Sequence, residues 1–552
     1  MKLLNRDLSK YTLRKEQEDA EKHVFDTMES DPSKKFFLLD MPPGVGKSVL
    51  TLSMIKRYFK DIEPDANVDV LTESKSLQKQ YSDEFNSISN LWGKNGYNCE
   101  QFNCSCEQGK DFGAAAASKC ESCPYDSARI GFMEGRISLT NFYMFILLQM
   151  SGVLKQRESN ILIVDEAHEL ESVYSNFLSI DMTEKSLKNY GVPDFVNIMK
   201  NMKKIKEVSE FKEYCEDFLL IKLGTRLGVM TSEISRLEKQ ALNRQVNIDK
   251  VLGNTSNGFI EMGKDKEKLK SFMSRIEYFI TEFDNSPNNW VLQQSYDDNK
   301  NLKINIQPVW SNKYINEHIW SHYDTVILMS GTILSKSMFC YINGIPENLA
   351  SYYMIDSPFD VKKRPIYYMP VGRMSYKDKE KAFVTYPPML KKLLKKYSNK
   401  KGIIHTVTFE LQRWISEILD TERLLLHTSD QDSKNFALKH HYTVKKPTIL
   451  VSPSMYTGID LKNGRARFQI CLKVPYPYLG DIKNKKRMET NPEWYSWATV
   501  SKLIQMYGRG VRNLDDYADF IILDGCFSDV LNRSAHLLPE WVLNAIKKVD
   551  VR

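Results

Sequence analysis

Short unbroken apolar runs alternate with longer stretches of helical spacing along most of the chain. Phe36-Phe37-Leu38-Leu39, Ile161-Leu162-Ile163-Val164 and Val326-Ile327-Leu328-Met329 each end at polar residues or glycine. Such runs read as buried strands rather than as amphipathic ones. The first 98 residues predict a helix over 14–28, a strand over 36–41, a helix from Ser48, a strand over 67–72 and another helix. Residues 131–170 lead through the 161–165 strand. After 363, strands fall near 366–370, 402–406, 423–427, 448–451, 468–474 and 519–524. Asn301 to Ile306 alternates like a half-buried strand.

The middle differs. Met199, Met202, Ile205, Val208 and Phe211 recur at helical spacing. So do Leu227, Met230, Ile234, Leu237 and Ala241, and again Leu269, Phe272, Ile276 and Phe279. No strand pattern and few breakers interrupt 172–286, which predicts a helical insertion. No repeat of solenoid period and no low-complexity tract appears.

Chemistry gathers where the apolar runs end. Asp40-Met41-Pro42-Pro43-Gly44-Val45-Gly46-Lys47-Ser48 follows the first strand. Gly44 and Gly46 let the turn present backbone N–H groups, with that of Val45, to phosphate oxygens. Lys47 can reach the β and γ phosphates, and Ser48 can ligate Mg²⁺. Asp165-Glu166-Ala167-His168 closes another strand: Asp165 would hold the metal and Glu166 would polarise an attacking water. Gln505-Met506-Tyr507-Gly508-Arg509-Gly510-Val511-Arg512 lies in a stretch of helical spacing. Arg509 and Arg512, three apart, would share a helix face and clamp a γ-phosphate arriving from another domain. Together these segments describe an NTP hydrolase.

In this order the motifs resemble a superfamily 2 helicase, and more narrowly the XPD/DinG branch of iron–sulfur DNA helicases. The order is the P-loop at 41–48, a motif centred on Thr72, Asp-Glu-Ala-His at 165–168, Ser330-Gly331-Thr332, Gly458-Ile459-Asp460, and Gln505 to Arg512. Met41 stands where the usual P-loop has its first glycine, as in the XPD version of the motif. Arg14-Lys15-Glu16-Gln17 resembles the family's element beside the nucleotide, and Ser357-Pro358-Phe359-Asp360 the segment between its motor domains. The resemblance implies an α/β fold of two RecA-like motor domains with parallel sheets. The first motor domain would comprise 1–98, 131–171 and 287–362, and the second 363–552. A cluster insertion at 99–130 and an arch-like helical insertion at 172–286 would interrupt the first. The resemblance further implies ATP and Mg²⁺, with Arg14, Gln17 and Asp460 joining the P-loop at the nucleotide. Lys47, Asp165, Glu166, Gln505, Arg509 and Arg512 would carry catalysis. Thr72, Ser330, Thr332 and Thr406 would couple nucleotide state to the strand.

Five of nine cysteines fall between Cys99 and Cys123: Cys99, Cys104, Cys106, Cys120 and Cys123. No histidine lies between His23 and His168, so any ligands there are thiolates, which suit zinc or an iron–sulfur cluster. Spacing alone favours zinc. The resemblance favours [4Fe–4S], because the family carries its cluster between these two motifs. Cys99, Cys120 and Cys123 would ligate, with Cys104 and Cys106 competing for the fourth place.

Composition changes little. At 552 residues, with 42% hydrophobic and 27% charged content, the chain reads as a multi-domain globular protein. A net charge of +7 permits a phosphate-binding groove without requiring one. The absence of an apolar run near membrane length, and of an apolar core in the first residues, predicts a cytoplasmic protein without a membrane partner. The resemblance adds single-stranded and tailed duplex DNA as partners, 5′→3′ movement and a monomer. The alternatives are a DEAH-type RNA helicase, or a nucleic-acid-binding ATPase or translocase that does not unwind.

Overall fold

The structure, a computed structural model, describes residues 2–100, 104–107, 122–243, 256–297, 300–456 and 459–550. Its frame is two parallel seven-stranded sheets. The first runs Ala350–Met354, Phe36–Asp40, Thr325–Ser330, Ile161–Asp165, Val68–Thr72, Ile137–Asn141, Ser89–Asn90. The second runs Leu424–Leu425, Ile449–Ser452, Gly402–His405, Phe468–Cys471, Asp519–Asp524, Ile366–Gly372, Ile546–Lys548. Parallel strands need crossover connections, and the helices that supply these cover both faces. That is why the strands read as solid apolar runs. Phe36, Leu38, Leu162 and Val164 pack into one core, while Phe37, Leu39, Ile161 and Ile163 pack into another across the sheet. The chain therefore folds as two RecA-like α/β domains.

The middle is helical, with two departures from expectation. Leu170–Leu178, Glu184–Asn189, Phe195–Met202, Val208–Tyr214, Leu220–Asn243 and Ser256–Asn285 are helices. The single periodic run expected over 199–211 is two helices with a break between them. Ile180–Thr183, inside the stretch expected to hold no strand, pairs antiparallel with Leu302–Pro308, which pairs in turn with Trp290–Tyr296. The 290–308 hairpin thus belongs to a small separate sheet and not to the large one. Ile180 and Met182 are buried and Asp181 is exposed, an alternation only four residues long and too short to stand out among helical patterns.

The two domains touch over a buried seat. Arg487, on the helix Ile482–Thr490 of the second, donates to Val309 O at 2.6 Å and to Glu171 Oε1 at 2.5 Å. Its guanidinium lies 4.7 Å from the Trp310 ring and 5.4 Å from the Trp494 ring. Trp497 Nε1 donates to Ile333 O at 2.8 Å.

Candidate functional site

Strands 36–40, 325–330 and 161–165 lie side by side in register, Leu39 against Met329 and Met329 against Asp165. Their C-terminal ends open on one crevice, where parallel sheets bind ligands. The loop after 36–40 turns through Gly44 at φ +88° and Gly46 at φ +92°, a region that penalises any β-carbon. It enters the helix Lys47–Asp61, whose free N-terminal N–H groups favour an anion. Val45 is buried and Ser48 half-buried. Gln17 braces the loop, donating to Gly46 O at 2.9 Å while accepting from Arg14 N at 2.8 Å. Arg14 Nη1 reaches Gly44 O at 3.4 Å.

The acidic strand end meets this loop. Lys47 Nζ lies 2.6 Å from Glu166 Oε1 and 3.6 Å from Asp165 Oδ1. Tyr81 OH donates to Asp165 Oδ2 at 3.1 Å and lies 3.2 Å from Thr51 Oγ1. Glu166 takes φ +54°, an uncommon conformation for a residue with a side chain and one concentrated at working sites. Burial pushes both carboxyls up. At Asp165 burial prevails over Lys47, and the net shift is upward. At Glu166, Lys47 and His168 outweigh burial and hold the carboxyl at about 2. His168 Nδ1 lies 2.9 Å from Ser330 Oγ, which accepts from Thr332 N at 3.1 Å. A polar chain thus runs from Glu166 to the end of the next strand. Thr72 and Thr406 sit at strand ends with buried hydroxyls that have no hydrogen-bond partner.

The second domain closes the crevice, with a correction to the sequence reading. The helix Pro492–Tyr507 stops at Tyr507, so Arg509 and Arg512 lie beyond it and share no helix face. Gly508 sets the limit by close approach, since a β-carbon there would meet Pro43 Cγ at 2.7 Å. The chain turns away against the P-loop instead of continuing the helix. Arg509 is tied to Gln505 O at 3.2 Å and to Ile459 O at 3.0 Å. Burial, then the charge of Arg512, lowers its pKa to about 10 against the pull of Glu166, Glu73 and Asp460. Arg512 O lies 3.2 Å from where a Gly44 β-carbon would stand, and Arg512 Nε is buried without a partner. Burial raises the Asp460 carboxyl, but Arg512 and Lys462 bring it below its usual value. Gln505 is buried in the last turn of the helix. Gly458 lies outside the described residues.

Three residues join the site that the sequence did not assign to it, although Phe359 lies in the 357–360 segment and Glu73 in the motif centred on Thr72. Tyr81 sits in a polar helix, Lys75–Glu84. Phe359 Cζ comes within 3.0 Å of a β-carbon position on Gly44. Glu73, next to Thr72, is pushed up to about 7 by burial and by Glu169 and Glu166.

Of the cysteines, Cys99 and Cys106 are buried and Cys123 half-buried. The Cys106 thiol is raised by burial; its neighbours include Cys123, with which it hydrogen-bonds, and Cys99. Cys104 stands opposite Cys99 in a two-stranded hairpin. Tyr97 packs edge-on to Tyr125 at 5.8 Å beside them. Cys120 lies outside the described residues. Among the described residues no group of three or more His, Cys, Asp or Glu side chains stands at metal-holding geometry.

Residues 392–545 match the helicase C-terminal domain family, and residues 10–206 match the type III restriction enzyme res subunit family. A probable ATP-dependent helicase of Methanocaldococcus jannaschii is 21% identical, over 95% of this chain and 94% of its own length. The ATP-dependent DNA helicase DinG of Photobacterium profundum is 21% identical, over 73% of this chain and 67% of its own. A solved XPD helicase shares the fold at a TM-score of 0.61 and 16% identity, covering 98% of this chain and 100% of that one. Together these matches support an XPD/DinG-like superfamily 2 helicase. The chain is an ATP-hydrolysing helicase, and the motif residues of both α/β domains converge in the crevice between them. No helix among the described residues is long and apolar enough to cross a membrane.

Proposed function

We propose that this helicase acts on DNA, moves 5′→3′ along a single strand, opens tailed duplexes, and holds a [4Fe–4S] cluster in residues 99–130. The observation that carries the reading is the placement of the cysteines. They interrupt the first motor domain between the P-loop and the acidic strand, and Cys106 hydrogen-bonds Cys123 there with Cys99 as a further neighbour. The donor set fits a thiolate-ligated group. Cys99, Cys106 and Cys123 would hold it with Cys120, leaving Cys104 as the spare. Bound, such a cluster fastens a loop with few large apolar residues of its own. The DNA substrate is supported by the similarity to DinG, an ATP-dependent DNA helicase. The organisation into 1–98, 99–130, 131–171, 172–286, 287–362 and 363–552 belongs to the same proposal.

The roles follow from the geometry. Gly44, Val45, Gly46 and the start of the Lys47 helix cradle phosphates, with Arg14 and Gln17 holding the loop. Ser48 and Asp165 would hold Mg²⁺, which would supply positive charge to offset that of the phosphates. Glu166 is ionised but tied to Lys47. When Lys47 turns to phosphate oxygens, Glu166 loses its strongest counter-charge and gains basicity toward water. Arg512, with an unpartnered buried Nε beside the P-loop, and Arg509 meet the γ-phosphate from the second domain. Losing that phosphate removes their partner, so the domains loosen and regrip, a switch driven by the ligand. The Glu166–His168–Ser330 chain carries the nucleotide state toward the strand.

Protein purified without oxygen should be yellow-brown and hold about four irons per chain, as a cubane on four cysteines requires. It should displace a strand from a 5′-tailed DNA duplex and not from a 3′-tailed one or a matched RNA duplex. A colourless, zinc-loaded protein would replace the cluster with zinc. Displacement of RNA alone would favour the RNA helicase reading. Strand-stimulated ATP hydrolysis without displacement would leave a translocase.

A further inference from the structure

A pocket of about 280 Å³ lies apart from the nucleotide crevice, where the helices Phe142–Met150 and Leu170–Leu178 meet the long helix Ser256–Asn285. Tyr143, Val173, Asn176, Phe177, Ser271 and Arg275 line it. Tyr143 is 56% exposed, an unusual place for a large aromatic. It packs edge-on to Phe177 at 5.7 Å, so its ring is held while one face stays open. Leu147 and Met150, four and seven residues on, are also exposed and continue an apolar stripe along the same helix face. Across the pocket, Arg275 is anchored through Nη1 to Ser179 O at 3.3 Å, and its Nε is buried without a partner. Lys264, Lys268, Ser271 and Arg275 recur at spacings of four, three and four, which puts three cations on one face of that helix, with Lys268 paired to Asp265 at 3.2 Å.

An open aromatic face beside a row of cations matches a single polynucleotide strand, whose bases stack and whose phosphates are anionic. We infer that Tyr143, backed by Phe177, stacks a base of the translocating strand while Lys264, Lys268 and Arg275 hold its backbone. This rests on the chain being a strand-tracking helicase and names the residues that touch the strand. Stacking reads no base identity, so the contact is sequence-tolerant, as a motor that steps along any strand requires.

The test uses the full chain and two oligonucleotides of one sequence, DNA and RNA, carrying 5-iodouracil. Irradiation should cross-link the bound strand to Tyr143 or Phe177, located by mass spectrometry. Tyr143→Ala should raise the strand concentration for half-maximal ATP hydrolysis about tenfold, as loss of one stacked base predicts. Turnover at saturating strand should change less than twofold. Tyr143→Phe should restore near wild-type half-saturation and Tyr143→Leu should not, which separates stacking from packing. Tyr376→Ala, a 92% exposed tyrosine elsewhere, is the control. Lys264→Ala with Lys268→Ala should flatten the salt dependence of strand binding. Strand-stimulated hydrolysis with wild-type half-saturation in Tyr143→Ala, and no cross-link in this pocket, overturns the stacking site and leaves the helicase standing. Failure of either strand to bind or stimulate overturns both.

Discussion

Glu166 is a carboxylate whose basicity is set by the lysine beside it. With Lys47 at 2.6 Å its carboxyl stays near 2, so it is charged throughout the working pH range. Glu166→Gln keeps Asp165 and Lys47 in place. We expect it to bind ATP while turnover falls by ~10²–10⁴, the usual worth of a positioned base; equilibrium binding of a fluorescent nucleotide beside phosphate release checks this. Wild-type turnover in this variant would remove Glu166 from that role. Arg512 differs in kind, because its Nε is buried without a partner and its carbonyl lies against the P-loop glycine Gly44. Arg512→Ala and Arg509→Ala should lower strand-stimulated kcat by more than they weaken ATP binding, since charge builds on the γ-phosphate as the reaction proceeds. Equal losses in both would mean plain ground-state binding.

At the scale of elements, where a helix stops matters as much as where it starts. The 492–507 helix ends so that Gly508 can sit against Pro43 of the other domain. Gly508→Ala should therefore impair ATP hydrolysis without unfolding either domain, readable as reduced kcat with unchanged circular dichroism. The 482–490 helix makes a different case. Lys483 is buried beside Arg487 and Glu171, donates to Ser175 Oγ, and is brought down to about 7 by burial and by Arg487. Its folded pKa lies below its unfolded value. Between about 7 and 10.5 the unfolded chain binds the extra proton, so stability rises with pH across that window. Below it both states are charged and the full cost of burying the ammonium remains. Lys483→Met should raise the thermal midpoint more at pH 6.5 than at pH 9.5. An equal effect at both would refute the linkage.

For the whole molecule the decisive feature is that the motor domains meet twice, at the nucleotide crevice and at the Arg487 seat. Arg487 bonds Glu171 and Val309 and lies between Trp310 and Trp494, so opening of the crevice must leave this seat made or break a buried ion pair. Arg487→Ala strands Glu171 in the interior, at a cost of about 3–5 kcal/mol. Calorimetry should then show two separated transitions where the wild type shows one. Glu171→Leu combined with Arg487→Met should restore a single transition, because matched apolar groups replace a buried pair at little cost. If Arg487→Ala still melts as one unit, the seat does not couple the domains.

Local pattern determined the central strands of the first sheet, nearly all of the second and most of the crevice, but not the strands Ile137–Asn141, Ser89–Asn90, Ala350–Met354 and Ile546–Lys548. Strands buried on both faces announce themselves as apolar runs, and phosphate and metal chemistry needs fixed residue types at strand ends, so Gly44 to Ser48 and Asp165-Glu166 were legible. What depends on contacts between distant segments was not. Tyr81 reaches Asp165 across 84 residues. The strand at 180–183 exists only because 302–308 lies beside it, and its alternation is too short to outweigh helical neighbours. Periodicity carried the last helix through Arg512, but Pro43, more than 460 positions earlier, demands a glycine and a turn at 508. Helical spacing records which side of a segment meets the core. It says nothing of what another domain will press against its end, and tertiary packing settles that.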